Sequence, residues 1–378
     1  MRRRLGRECL YVPSCRLGLY LALRRWCRPG GRVLMSPVND DVIFFVVLAA
    51  GLRPVQAPLR ARDASIDASA VPEGVWRGLS GVLTANLYGN PDPAPELAQR
   101  CGDFGIPLLE DCAHAIGSGT GTHGDASVFS LSKHAGVRTG GFLAVRDPAE
   151  LPALARERDR LLQPARHRTE LAYLARPYAE AAVRGLRLAG AARTALRLLG
   201  REERDGIRMP LRGGELKRAL DDAPGLDAFH PWVRVDLHDY RLAPGRARLR
   251  RVEKALRRLD GTLDAHRAGA ARLQASPWGD PQAPDRPLFR VPLLVADRDA
   301  AIAALARHRI TTGYLYDPPL DDYAGPDFTD PAPRPDAARW FARHALPADP
   351  LRAGAVLRVL HASGARPAPP PPPGARGA

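Results

Sequence analysis

Apolar positions in the first part of the chain come in short runs separated by Gly, Pro and polar residues. RVLMSP (Arg32 to Pro37), RPVQAP (Arg53 to Pro58), GVLTANLYG (Gly81 to Gly89), IPLLEDC (Ile106 to Cys112), ASVFSL (Ala126 to Leu131) and GGFLAV (Gly140 to Val145) have the length and branched content of strands covered on both faces. Between them, VPSCRLGLYLAL (Val12 to Leu23), Asp40 to Gly51 and Pro95 to Phe104 read as helices, with Ser14 as an N-cap. The longest apolar run, VIFFVVLAAGL from Val42 to Leu52, would span about 16 Å as a helix, against the ~30 Å of a bilayer core. It predicts a buried helix. The alternation predicts an α/β fold with a mostly parallel, doubly covered sheet and a ligand site beyond the carboxyl ends of its strands.

The texture then changes. From Glu150 to about Arg204 the chain is Arg-rich and helical, and Gly213 to Pro224 reads as a polar loop. A heptad stripe of Leu242, Leu249, Val252, Leu256, Leu259 and Leu263 predicts one long amphipathic helix, with Lys254 off the stripe and solvated. A strand over Leu288 to Asp297, a helix over Arg298 to His308, a strand around Thr311 to Asp317 and helices near Asp336 to His344 and Leu351 to His361 predict a smaller α/β domain. The terminal RPAPPPPPGARGA cannot form a core. The expected division is a large domain over 1–149, a helical insert and linker over 150–235, the long helix and small domain over 236–366, and a Pro-rich tail over 367–378.

Composition changes this picture little. The 378 residues are 45% hydrophobic, enough for a sizeable core. The net charge of +15 could attract nucleic acid or a membrane surface, but the arginines are spread widely with few aromatics among them, so no nucleic-acid partner is expected. The insert places Arg184, Arg187, Arg193, Arg197 and Arg201 among Val183, Leu186, Leu196 and Leu199 without Trp or Phe as an anchor. Packing with solvated arginines is favoured there over contact with a membrane surface. Cys9, Cys15, Cys27, Cys101 and Cys112 lack the paired spacing of a disulfide framework or zinc site. A cytoplasmic protein with no metal is expected. The basic start MRRRLGREC is followed by apolar sequence broken at Arg16, Arg24 and Arg25, unlike a signal peptide.

The chemistry concentrates at one lysine. Among 56 basic residues the chain has three lysines, and Lys133 lies in the Ser/Gly-rich stretch FSLSKHAGVRTGG. An amine can lose its proton when desolvated and attack a carbonyl, whereas a guanidinium stays protonated. Upstream, LLEDCAHAIG ends a strand in Glu110 and Asp111, with His114 three residues beyond Asp111. If the cofactor is pyridoxal phosphate, Asp111 is placed to keep its ring nitrogen protonated. Ser14, Cys15 and Arg16 ahead of a helix, and Ser130 before Lys133, are candidates for a phosphate. Each also has an ordinary reading: Asp111 as a helix cap, His114 as a partly buried histidine, Ser14 as an N-cap.

Together, PSCRLGL, NLYGN, LLEDCAHAIG, HGDASVFSLSK, GGFLAV, TTGYLYDPPL and HALPADP, in that order, make the chain resemble the DegT/StrS family of pyridoxal-phosphate sugar aminotransferases, of fold type I. The resemblance covers about residues 10 to 365 apart from the insert. It implies that Lys133 holds the cofactor as an internal aldimine and then moves the proton, and that Asp111 pairs with the pyridine nitrogen. It implies that His114 stands where the family has a glutamine near the ring oxygen, and that Ser130 and Arg16, with neighbouring N–H groups, hold the phosphate. Asp239, in HDYRLAP, falls where the family has an asparagine reaching the partner subunit's cofactor. The implied reaction moves an amino group, typically from glutamate, to a nucleotide-linked keto sugar, in a homodimer. FSLSK is shorter than the family's form, and the helix at Asp40 lacks the family's stacking aromatic. Family dehydratases carry histidine in place of the lysine, so Lys133 argues for transamination, although His134 directly follows it. An amino-acid aminotransferase, or a basic binding protein on a decayed enzyme scaffold, are the other readings.

Overall fold

A computed structural model describes residues 1–165, 208–234 and 240–372, together with positions 170, 171, 173 and 175. The segment holding the insert arginines, and Asp239, lie outside the described residues. In chain order the elements that position the site begin with β1 (Glu8–Val12), α1 (Cys15–Trp26), β2 (Arg32–Met35), α2 (Asp41–Ala49), β3 (Arg53–Gln56) and β4 (Leu79–Thr84). They continue with α3 (Ala94–Phe104), β5 (Leu108–Cys112), β6 (Ala126–Ser130), β7 (Gly141–Val145) and α4 (Leu151–Leu161).

These strands form one seven-stranded sheet of order β1-β7-β6-β5-β4-β2-β3. From β3 across to β6 every pairing is parallel, and β7 and β1 run antiparallel at one edge. The α/β fold read from the alternating runs is therefore present. The edge strand β1, ECLYV, has only one of its five residues fully buried, and its short run directly before α1 is not among the strands read from the sequence.

One face of the sheet is covered by α1 and α2. Asp40 caps α2 by accepting from Val42 N at 3.1 Å, and every residue from Asp41 to Ala49 is buried. Each large apolar side chain buried this way contributes about 1.5–3 kcal/mol, which is why so short a helix needs no polar face. Ser14 caps α1. The opposite face packs Trp76, Leu97 and Tyr88 against Leu34, Val55 and Val82.

Three expectations for the second half need correction. Gly213–Asp222 is a helix, α5, and not a loop: Leu216 buries itself against the α1–α2 core, with Ala219 and Leu220 beside it. A stripe that narrow is hidden among polar residues in the sequence. The heptad stripe is not one helix: Leu242 lies ahead of the helices, Leu249 is exposed, and the rest falls on α6 (Arg246–Arg257) and α7 (Leu259–Gln274), divided at Arg258. The break lets Leu259 and Leu263 pack on Phe129 and Leu131, while Ala270 and Leu273 enter a separate core beneath β8 (Val291–Leu294). Thr311 to Asp317 is not a strand. The small sheet consists of β8 and β9 (Ala345–Ala348), antiparallel, and the segment turns Tyr314 and Tyr316 to the cavity described below.

Helices α8 (Arg298–Arg307), α9 (Asp336–His344) and α10 (Ala353–Ala362) complete the smaller unit near their expected positions. Among the described residues no helix is long and apolar enough to cross a membrane.

Candidate active site

A cavity of about 210 Å³ opens beyond the carboxyl ends of β5 and β6. Strand β5 delivers Asp111, in register with Val128 of β6, and the turn after β6 delivers Lys133. Both line the cavity, as do Ser14, Cys15 and Arg16 from the start of α1. His114 and Ser130 line it too. Of the candidate cofactor-site residues read from the sequence, Asp239 lies outside the described residues.

Asp111 is 3% exposed. Its Oδ1 accepts from Ala113 N at 2.9 Å and faces the Cys15 thiol at 3.5 Å. It makes no ion pair with any described residue. Burial raises its pKa to about 7, outweighing the two hydrogen bonds. Lys133 has its Nζ 5.4 Å from the Phe289 ring centre and 5.9 Å from that of Tyr314. Desolvation lowers its pKa, with Asp40 opposing and Arg290 adding to the shift. The amine is thereby moved toward the form that can act as a nucleophile or base.

The His114 ring is stacked between Phe289, at 5.2 Å, and Tyr88, at 6.3 Å. Desolvation, reinforced by the Lys133 charge, holds it well below its ordinary value, so it is neutral. His134, although next to Lys133 in sequence, is turned away: its Nε2 is 2.9 Å from Pro287 O and its ring meets His266 at 4.9 Å.

At the start of α1, Ser14 Oγ accepts from Leu17 N at 3.1 Å and donates to Tyr240 O at 2.9 Å. Arg16 Nη1 donates to Val233 O at 2.8 Å while its guanidinium lies over Tyr240. Ser130 Oγ shares a hydrogen bond of 2.8 Å with Ser132 Oγ. Two polar groups that the sequence did not single out also face the cavity. Asn39 Nδ2 and Thr139 Oγ1 are buried and make no hydrogen bond. A buried donor or hydroxyl left in this state costs about 1–3 kcal/mol until something binds it. Neither residue has a pattern of its own; each is brought in by the loop after a strand.

The comparisons agree with this picture. The model of the DegT/DnrJ/EryC1/StrS aminotransferase family matches residues 5–159, the segment that supplies Lys133, Asp111 and the start of α1. The match is confined to that segment, about two-fifths of the chain. Among curated proteins, the UDP-N-acetyl-3-dehydro-alpha-D-glucosamine 3-aminotransferase of Acidithiobacillus ferrooxidans is 29% identical over 141 residues, 35% of this chain and 38% of that protein. GDP-perosamine synthase of Vibrio cholerae is 27% identical over 107 residues, 27% of this chain and 29% of that protein. The matched sequence thus spans about a third of each relative. Solved structures extend the likeness to the fold of nearly the whole chain. A DegT/DnrJ/EryC1/StrS aminotransferase from Brucella abortus superposes with a TM-score of 0.60 at 14% identity, covering 96% of this chain and 87% of that one. The Escherichia coli GDP-4-keto-6-deoxy-D-mannose-3-dehydratase, solved with bound hydrated PLP, gives 0.66 at 15% identity, covering 95% and 88%.

Proposed function

We propose that this protein is a pyridoxal-phosphate-dependent aminotransferase that moves an amino group, from an amino acid such as glutamate, to the carbonyl of a nucleotide-linked keto sugar. One observation carries the reading: the Lys133 amine, and not the adjoining His134 imidazole, lines the cavity together with the buried carboxyl of Asp111.

The residues present fit the cofactor. Asp111 is a buried carboxyl with no ion-pair partner among the described residues, and a protonated pyridine nitrogen supplies the cation that would restore its ordinary charge. The Cys15 and Arg16 N–H groups at the start of the 12-residue α1, with Ser130, Thr139 and the Arg16 side chain, form a polar end suited to the phosphate. When bound, pyridoxal phosphate supplies an electron sink for the carbon that loses or gains a proton. Lys133 then carries that proton on Nζ, its basicity tempered by desolvation. His114, kept neutral, packs beside the reacting centre without adding a second positive charge next to Lys133.

A dehydratase is the second reading, favoured by the likeness to the Escherichia coli 3-dehydratase. That chemistry would ask an imidazole to stand where Lys133 stands, and His134 is engaged with Pro287 instead. We read the enzyme as a cytoplasmic homodimer. The test is the visible spectrum of the purified protein with added pyridoxal phosphate, before and after borohydride, beside Lys133→Ala. A yellow band that borohydride abolishes, leaving the label on the peptide containing Lys133, is expected for the wild type and not for the variant. A protein that stays colourless overturns the proposal.

A further inference from the structure

The phosphate end and the ring-nitrogen end of the proposed site meet at one side chain, Cys15, of which the proposed chemistry uses only the backbone. Cys15 opens α1 and is 9% exposed. Its Sγ lies 3.5 Å from Asp111 Oδ1 and 3.8 Å from Val128 O. The helix comes this close to the sheet because Gly18, one turn on, carries no side chain. A Cβ there would stand 2.6 Å from Val128 Cγ1 and 3.3 Å from Val12 Cγ2. Val128 is the residue of β6 in register with Asp111. Gly18 thus seats the start of α1 over the strand pair that carries the carboxyl.

The thiol is a donor in this position. Burial, with the Asp111 charge beside it, holds its pKa well above the ordinary value, so it keeps its proton. The other donor to Asp111, Ala113 N, reaches the same oxygen at 2.9 Å. Both donors therefore fall on Oδ1, one from the turn after β5 and one from α1. Among the described residues, Oδ2 accepts from none. Two donors from different elements on one oxygen leave the second oxygen for a partner in the cavity. The cavity asks for a ligand on independent grounds, since the Asn39 side chain, 6% exposed, lines it with Nδ2 unpaired.

Resting on the aminotransferase reading, we infer that Cys15 is a positioning residue: its thiol holds Oδ1 of Asp111 so that Oδ2 is presented to the ring nitrogen of pyridoxal phosphate. A thiol is a weak donor. It orients the carboxylate without neutralising it, and the charge remains for a protonated ring nitrogen. An arginine or lysine in its place would pair with the carboxylate and compete with the cofactor.

The test compares wild type, Cys15→Ala and Cys15→Ser as full-length proteins. The first readout needs no cofactor: the melting temperature between about pH 4 and pH 9. The fall in stability caused by Asp111 ends at about pH 7 in wild type. Loss of a donor should carry that end point up by about half a pH unit or more in Cys15→Ala, and Cys15→Ser, which keeps a donor, should bring it back toward the wild-type value. A packing role alone would lower the melt by the same amount at every pH. The second readout is calorimetric titration with pyridoxal phosphate and with its analogue that has C–H in place of the ring nitrogen. Cys15→Ala is expected to weaken the cofactor about fivefold and to leave the analogue unchanged, because the analogue offers Asp111 nothing to hold. Melts displaced equally across the pH range, or equal weakening of cofactor and analogue, would overturn the inference. The two proposals fail separately. A protein that stays colourless, yet whose end point moves in Cys15→Ala, keeps the link between thiol and carboxyl and loses the aminotransferase reading. A yellow protein in which Cys15→Ala moves neither readout does the reverse.

Discussion

In the cofactor-free protein the Asp111 carboxyl titrates at about pH 7, because burial penalises its charge more than Ala113 N and Cys15 relieve it. The unfolded chain titrates near 3.9. Below about pH 4 the group is protonated in both states. The stability present there is lost as pH rises to about 7, and the deficit stays constant above that. Asp111→Asn keeps the shape and the acceptor for Ala113 N but has no charge to bury. The variant without cofactor should melt higher than wild type at pH 8 and together with it near pH 4, and it should lose the yellow cofactor band. Coincident melts at pH 8 would show that the carboxyl is not held as described. Asp111 and Lys133 were legible because each stands where an apolar run stops, beside residue types with few bland uses. Asn39 and Thr139 were not: neither has a pattern of its own in the sequence, and only the fold brings their unsatisfied polar atoms to the cavity.

At the scale of elements, the turn 86–90 and the segment 286–290 act as one unit, joined where Phe289 N and Arg290 N donate to Tyr88 O, and Gly89 is its narrowest point. Gly89→Ala asks for a positive φ from a residue with a Cβ and drives that Cβ onto His114 O. A cost of about 1–3 kcal/mol in stability is expected, read from denaturant melts. An unchanged melt would mean that the segment does not dock there. The two histidines that meet this segment at Pro287 O and Leu288 O add a pH dependence. Burial lowers His134 to about 4 and lowers His266 as well. Both contribute stability that is complete above the ordinary value near 6.5 and is lost as pH falls toward 4. Their contribution thus opposes that of Asp111 over much of the same range, so Asp111→Asn should steepen the acid loss of stability. Element reading from the sequence succeeded where an uninterrupted apolar run fixed the element, as in Asp41–Ala49. It failed where tertiary contacts chose between options: a stripe of period 3.5 does not say that its helix must break at Arg258 to serve two cores. The aromatic, β-branched content of Thr311 to Asp317 gives no sign that β8 and β9 leave it without a strand to join.

At the scale of the molecule, the site draws on the seven-stranded sheet and on the smaller β8–β9 unit, whose α9 shares a buried cluster with the large sheet. Asp111, Lys133 and the start of α1 belong to the seven-stranded sheet, whereas Tyr314 and Arg290 come from segments beside β8 and β9. A ligand bound between them is bound by the folded arrangement alone and shifts unfolding by mass action, about 2.7 kcal/mol at a hundred times the dissociation constant. A chain of this size moves its melting temperature by about 2–4 °C per kcal/mol or somewhat less. Pyridoxal phosphate is therefore expected to raise the wild-type melting temperature by several degrees, Lys133→Ala by less and Asp111→Asn scarcely at all. Sedimentation of the yellow protein is expected to give twice the 41.0 kDa chain mass. A cofactor shift equal in all three proteins would mean that the phosphate end alone binds and that the lysine and the carboxyl do not act on the ring. That result would leave the fold standing and remove the chemistry proposed for it.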